Sequence, residues 1–399
     1  MFSPRVKTGT LVLEGLNAVA TTIYYNYLFF EMRDRFGFTN LGNLTMGALN
    51  GLVYCVVVWF AGKFAQRHGY FFALRLGFGT MAVATGLAAY SPTVPGQVAA
   101  MLLCTLGMSL TWPTLEAIVS EQEPPARLKR LLGIYNVVWA GSGGLAYFAG
   151  GALYERWGRA SIFLVPSALH VIQVVLTAWL ARRAVTDRAA AAGAMPAPAT
   201  GLASEEERHR SSLPAPVFLK LAWVANPFGY IAMNAMLPVI PKIAERFSFG
   251  PMLAGFFCSV WFFARTIGFA WLWHWDGWHY RFRWLMGAYV AMALAFLGIL
   301  LGGSLWLLIA AQVVFGVAVG LLYYSSLFYS MDVGETKGEH GGFHEAALGA
   351  GICAGPAVGA VSLRFFPGHP NMHAWAVAGL LVLGLLWLLR LRALGLRRG

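Results

Sequence analysis

Long apolar stretches interrupted by short polar ones dominate this chain. Ten windows free of Asp, Glu, Lys and Arg run from Gly15–Phe30 near the start to Phe365–Leu389 near the end. A helix needs roughly 20 mostly apolar residues to cross the hydrocarbon core of a bilayer, and in that core it must satisfy its own backbone polar groups. Two of the windows are too long for one crossing. Leu76–Leu115 is interrupted by Ser91-Pro92-Thr93-Val94-Pro95-Gly96, a strong turn signal, and Trp284–Met331 by Gly302-Gly303-Ser304. Splitting both predicts twelve membrane-spanning helices and an all-α fold.

The polar stretches organise these helices. Between Arg182 and Pro216 the chain is rich in Ala, Pro, Ser and charge, which is linker composition. This divides the chain into an N-terminal six-helix bundle (1–182), a cytoplasmic linker (183–216) and a C-terminal six-helix bundle (217–399). An internal repeat agrees with the division: Gly69 to Arg75 after the second span matches Gly277 to Arg283 after the eighth, each a Gly with Arg six residues on. With both termini on one side, 21 Lys and Arg fall on that side and 7 on the other. Excess positive charge marks the cytoplasmic face, so both termini are expected there, in a multi-pass protein of the bacterial inner (plasma) membrane.

Composition then removes several function classes. The 399 residues are 58% hydrophobic and only 12% charged, about half the charged share of a soluble protein. The formal net charge of +12 is explained by loop topology and does not call for nucleic acid. Cys55, Cys104, Cys258 and Cys353 lie in separate apolar runs with no CxxC spacing, and no metal site, cofactor or catalytic constellation is read from the chain, so it is not expected to be an enzyme. No Gly-x4-Gly-Lys-Ser/Thr run is present. Any transport must then draw on an ion gradient or on the solute's own gradient.

The loop after the second span carries a more specific pattern: Gly62, Arg67, Gly69 and Arg75, with Gln66 between them. This resembles the signature loop of the major facilitator superfamily (MFS), in which an acid commonly stands where Gln66 is. The resemblance covers nearly the whole chain and implies two pseudo-symmetric six-helix bundles working by alternating access. Gly62 and Gly69 are suited to a tight turn, and Arg67 and Arg75 to pairing with helix-end carbonyls or with Glu116 and Glu121 at the end of the fourth span. The run Gly351-x-x-x-Gly355-Pro356-x-x-Gly359 resembles a Gly-Pro motif that the family's proton antiporters carry in helix five, displaced here to helix eleven.

Ionisable residues inside a span are costly and therefore functional candidates. Arg265 lies near mid-depth of span eight with no acid nearby on its own helix. Asn136, Trp139, Asn234 and Tyr324 are mid-span groups suited to a substrate cavity, since buried amides and phenols need partners. Glu14, Glu116, Glu345 and His344 sit toward the cytoplasmic ends of their spans, positions suited to gating or proton coupling. Asp332 falls in the loop before span eleven and is expected to be solvated. The leading expectation is a monomeric secondary transporter moving a small organic solute, coupled to protons or sodium. A multidrug/proton antiporter is one alternative; a non-transporting receptor or assembly factor on the same scaffold is another.

Overall fold

The computed structural model describes every residue except 1, 122, 124, 191–202, 209, 212, 334–336 and 398–399, and leaves the side chains of 125, 126, 187–190 and 337–344 undescribed. Among the described residues there is no strand. The long helices are α1 (Pro4–Phe36), α2 (Asn40–His68), α3 (Tyr70–Tyr90), α4 (Val94–Ser120), α5 (Pro125–Trp157) and α6 (Ser161–Ala190). After the linker come α7 (Ala215–Met236), α8 (Pro251–His274), α9 (Phe282–Leu301), α10 (Leu305–Val333), α11 (Lys337–Phe365) and α12 (Met372–Leu396).

Local chemistry sets the helix ends. The Ser3 side chain accepts from the Val6 N–H and Pro4 occupies the first turn, so α1 starts without an orphaned donor there. It stops at Gly37, whose φ of 68° is left-handed. Thr93 caps α4 by accepting from the Gly96 N–H, which turns the Ser91–Gly96 stretch into a helix junction. Gly69, at φ 95°, makes the junction of α2 and α3, whereas Gly62 lies inside α2. The tight turn expected of both loop glycines is thus made by Gly69.

Among the described residues, nine of these helices are long and apolar enough to cross a membrane. The three outside that set, α1, α5 and α7, all contribute side chains to the central cavity described below.

Packing is tightest along two seams that join helices from opposite sides of the linker, α2 with α11 and α5 with α8. Both rest on small residues. A Cβ on Gly51 would fall on the Cys353 backbone, and one on Gly151 would fall on the Pro251 carbonyl, so the backbones approach to a distance only glycine allows. Gly351 and Gly355 of the Gly-Pro run lie against the α7 carbonyls of Pro227 and Ile231. Away from the termini, the far end of the assembly is closed across the linker division by Arg33 with Glu245 and by Asn43 donating to the Pro238 carbonyl, while the same amide also donates to Phe29 O of α1.

The end that carries the termini is closed differently from expectation. Arg67 and Arg75 are exposed and form no ion pair among the described residues. Lys7 does the pairing instead. Its Nζ donates to Val119 O at 3.0 Å, Glu121 O at 3.1 Å and Glu123 Oε1 at 2.5 Å, capping the last turn of α4 with a cation that is almost wholly buried.

Asp332 is not solvated either. Its carboxylate accepts from the Ala203 N–H, from Arg208 at 2.8 and 3.2 Å, and from the Tyr280 hydroxyl, which leaves its side chain fully covered. The short helix Glu205–Arg208 is thereby strapped onto the end of α10, and Glu207 accepts from His279 Nδ1 at 2.9 Å in the α8–α9 connection. Burial pushes the His279 imidazole below its ordinary value, with Glu207 opposing. Burial pulls Glu207 upward, but the Ser204 N–H and His279 outweigh it and hold the carboxyl below its usual range.

Two outcomes are expected. Gly51→Val should cost about 1–3 kcal/mol through forced separation of α2 and α11, read as a lower midpoint in thermal unfolding of the purified protein. Both His279 and Glu207 bind fewer protons docked than released, so strap docking strengthens with rising pH up to about 6.5 and weakens on acidification. Limited proteolysis within 205–210 should therefore speed up between about pH 7.5 and pH 5.5. His279→Gln should flatten that dependence, and an unchanged profile in this variant would remove His279 as its source.

Candidate functional site

The seams enclose a central cavity of about 170 Å³, lined by α1, α2, α4 and α5 on one side and by α7, α8, α10 and α11 on the other. Its wall is rich in aromatic rings and carries one guanidinium, Arg265, and three carboxyl groups, Glu14, Glu116 and Glu345.

Arg265 is 3% exposed and enclosed by rings. Its guanidinium lies 4.3 Å from the Trp139 ring centroid, 4.7 Å from Phe262 and 5.0 Å from Trp261. Trp261 and Phe262 stand four and three residues before it on α8, the spacing that stacks side chains on one helical face. Trp139 reaches across from α5. Nη1 contacts the Met233 sulfur at 3.6 Å, Nε has no hydrogen-bond partner, and no carboxylate pairs with the group among the described residues. Ring faces supply roughly 0.5–2 kcal/mol each to a cation, but they do not accept its N–H bonds along the lone-pair directions an anion would offer. The site is therefore a desolvated cation with unused donors facing a cavity.

The carboxylates belong to the cavity wall. Helix α1 starts at Pro4, which places Glu14 about 15 Å along it at 1.5 Å per residue. It is fully buried, with the Tyr135 hydroxyl close by. Glu345 lies about 12 Å into α11 by the same reckoning and accepts from the Tyr54 hydroxyl at 2.7 Å, across the α2–α11 seam. Glu116 lines the same cavity from α4. The helices of Glu14 and Glu345 both begin well before these acids, outside the uncharged windows read from the sequence.

Other expected site residues divide. Trp139 and Asn234 line the cavity, with Asn234 Nδ2 donating to Tyr230 O at 2.9 Å. Asn136 and Tyr324 do not line it. Asn136 is fully buried in helix packing, and Tyr324 is packed between Phe269 and Trp278. The side chain of His344 lies outside the described residues. Tyr54, Tyr135, Tyr230, Tyr323 and the Trp261-Phe262 pair belong to the site or its support; Tyr323 is one of the span-ten phenols that the sequence offers for a cavity, and the i−4 and i−3 spacing from Arg265 could have flagged Trp261 and Phe262. Toward the far end, Tyr25, Thr105 and Asn50 form a hydrogen-bonded chain that joins α1, α4 and α2.

An aromatic cavity with ionisable groups, enclosed by paired helices at the centre of a helical membrane protein, is the arrangement of a solute transporter. The Major Facilitator Superfamily model matches residues 10–356, and the chain belongs to that family of non-enzymatic membrane transporters. It is 28% identical over 127 residues to the methylenomycin A resistance protein of Streptomyces coelicolor, a stretch covering 32% of this chain and 27% of that one. The chain thus spans about a quarter of the curated relative it matches. Its fold is similar to that of the human organic anion transporter MFSD10 (TETRAN), with a TM-score of 0.63 at 15% identity, covering 97% of this chain and 100% of the other. It is similar also to the nucleoside transporter NupG, with a TM-score of 0.69 at 14% identity over 97% and 99% of the two chains.

The two buried cations should respond oppositely to neutralisation. Lys7→Gln leaves two carbonyls without their partner and Glu123 with only the half-exposed Arg127 at 3.3 Å, and should cost about 3 kcal/mol. Arg265→Gln removes an uncompensated buried charge and should leave stability unchanged or raise it. Thermal unfolding of both variants without added solute checks this contrast, and a comparable loss in Arg265→Gln would mean that the guanidinium serves packing.

Proposed function

We propose that this protein is a secondary transporter that moves a small organic solute by alternating access. In this reading all twelve long helices cross the bilayer, and residues 1–182 and 217–399 act as two bundles joined by the linker 183–216. The cavity is the substrate site and the two glycine-lined seams are the surfaces about which the bundles rock. Both termini lie on the cytoplasmic side of a bacterial inner membrane, as the distribution of loop charge supports.

A single observation carries the proposal: one cavity, walled by helices from both sides of the linker, contains a desolvated guanidinium with unused donors and three carboxylates. Structural pairing does not account for Arg265, because no ion pair among the described residues joins it to an acid. Arg265, Trp139 and Asn234 are assigned to the solute. Glu14, Glu116 and Glu345 are assigned to coupling, with protons as the driving ion, since carboxylates faced by phenols can load and release a proton without moving a metal ion through the site. The names of the relatives, a resistance protein and carriers of organic anions and nucleosides, support an organic solute. The placement of Glu14 also supports a solute/proton antiporter, which requires such a group in the N-terminal half.

Reconstitution tests the proposal. Proteoliposomes should show counterflow of at least one solute from a panel of organic anions, nucleosides and amphipathic amines. An imposed pH gradient should drive its accumulation. Glu14→Gln should abolish the gradient-driven accumulation while retaining exchange, and Arg265→Ala should lower both by at least tenfold, equivalent to about 1.4 kcal/mol. Absence of flux for every class, in protein shown to be folded, would instead favour a receptor or assembly role for this scaffold.

A further inference from the structure

Residues of the cavity wall hold hydrogen-bond donors left without acceptors among the described residues. Arg265 lines the cavity with no acceptor at Nε and only the Met233 sulfur, at 3.6 Å, at Nη1. Trp112 of α4 and Trp261 of α8 line it too, and the indole N–H of each is buried without an acceptor. Guanidinium and indole nitrogens donate and do not accept, so a group rich in acceptor oxygens is what matches them. The charge of Arg265 is equally unanswered. Trp139, Phe262 and Trp261 stabilise it through their ring faces, and no ion pair among the described residues includes it. The carboxyl groups of the same wall stand differently. Glu345 already accepts from the Tyr54 hydroxyl at 2.7 Å, and any carboxyl group sheds its charge by taking up a proton, whereas a guanidinium stays charged. The charge that a ligand must answer is therefore that of Arg265.

We infer that the solute is a small aryl anion: one ring bearing a carboxylate or a similar oxyanion, with the anionic group held by Arg265 and the ring against the aromatic wall. The inference rests on the transporter reading and narrows its substrate class. A carboxylate takes parallel N–H bonds from one guanidinium, and such charge-assisted bonds are roughly twice as strong as neutral ones. In a site withdrawn from water, the anion also supplies the counter-charge that ring faces do not. The rest of the wall sets the body of the solute. Trp139 lies over Arg265 from α5, with its ring 5.3 Å from that of Tyr323 on α10, and Tyr323 lies 6.3 Å from Tyr230 on α7. All three line the cavity, so a band of rings leads away from the guanidinium. Volume sets the size: the cavity of about 170 Å³ is close to the roughly 150 Å³ that admits benzene, which suits one ring with a short anionic head. A neutral or cationic ring of the same shape leaves the guanidinium desolvated and unmatched, and this penalty is the source of discrimination.

Probes of matched shape test this on the purified full-length protein: benzoate, its neutral counterpart benzamide, its cationic counterpart benzamidine, and acetate, which has the anion without the ring. Calorimetry and the ligand-induced shift in thermal unfolding are read for each. Benzoate is expected to bind at least about tenfold more tightly than each of the others, the scale of one hydrogen-bonded charge pair. Arg265→Gln should bring benzoate down to the level of benzamide while changing benzamide little. Arg265→Lys, which keeps the charge but not the fork, should recover part of the loss and shows that the site is still formed. Benzamide or benzamidine binding as tightly as benzoate, acetate matching it, or no response to any probe in folded protein overturns the inference. So does benzoate binding that Arg265→Gln leaves intact. Counterflow tests the transporter reading separately. Flux of a neutral or cationic solute by protein that does not bind benzoate keeps the transporter and removes the anion. Arg265-dependent benzoate binding with no flux of any solute keeps the anion site and removes the transporter.

Discussion

A guanidinium held deep in a membrane protein without a counter-ion is an expensive arrangement, and most features of the site follow from it. Translocon-scale costs alone put a central Arg at about 2.5–3.5 kcal/mol unfavourable. Here Trp139, Trp261 and Phe262 crowd around Arg265 and recover part of that cost through their ring faces. Holding Trp139 of α5 against a cation of α8 requires the two helices to approach closely. The α5–α8 seam, with Gly151 against the Pro251 carbonyl, supplies that approach. The aromatic cage and the small-residue seam are therefore two parts of one device.

A similar trade-off runs through the helices. α1, α5 and α7 fall outside the set apolar enough to cross a membrane by composition alone, and each sends polar or ring-bearing groups toward the cavity. In α1, Lys7, Glu14, Asn17 and Asn26 are all buried. Such a helix is held by its neighbours and not by lipid, and α1 is flanked by α5, α6 and α4. Loss of apolarity in the helices that line the cavity is offset by the very apolar helices around them.

At the end that bears the termini, polar contacts take over the closing role that the signature loop was expected to play. Lys7 gathers two carbonyls and Glu123 at the end of α4, while Asp276 receives Lys129 from α5 at 2.6 Å and lies beside His279, which Glu207 of the linker accepts from. Asp332 ties the same linker segment to α10. With Gln66 in place of an acid, the exposed Arg67 and Arg75 have no described ion-pair partner, and the lock is built from residues that no local motif marks.

By itself the sequence determined the class of this protein. Hydrophobic runs of spanning length, the breaks at Ser91–Gly96 and Gly302–Ser304, the linker composition and the loop charge are local or additive properties, which burial in hydrocarbon turns directly into helices. Arg265 was legible for the same reason, because one charge inside an apolar run is visible without a partner. Tertiary structure alone decided what surrounds it. Trp139, Tyr230, Tyr323 and the three glutamates come from helices far apart in the chain, and their meeting depends on which helix faces pack, a non-local outcome that glycine contacts at Gly51 and Gly151 settle. The burial of Glu14 and Glu345, the removal of Asn136 and Tyr324 from the cavity wall and the capture of Asp332 by the linker arise likewise from helix extent and packing, which uncharged windows do not encode.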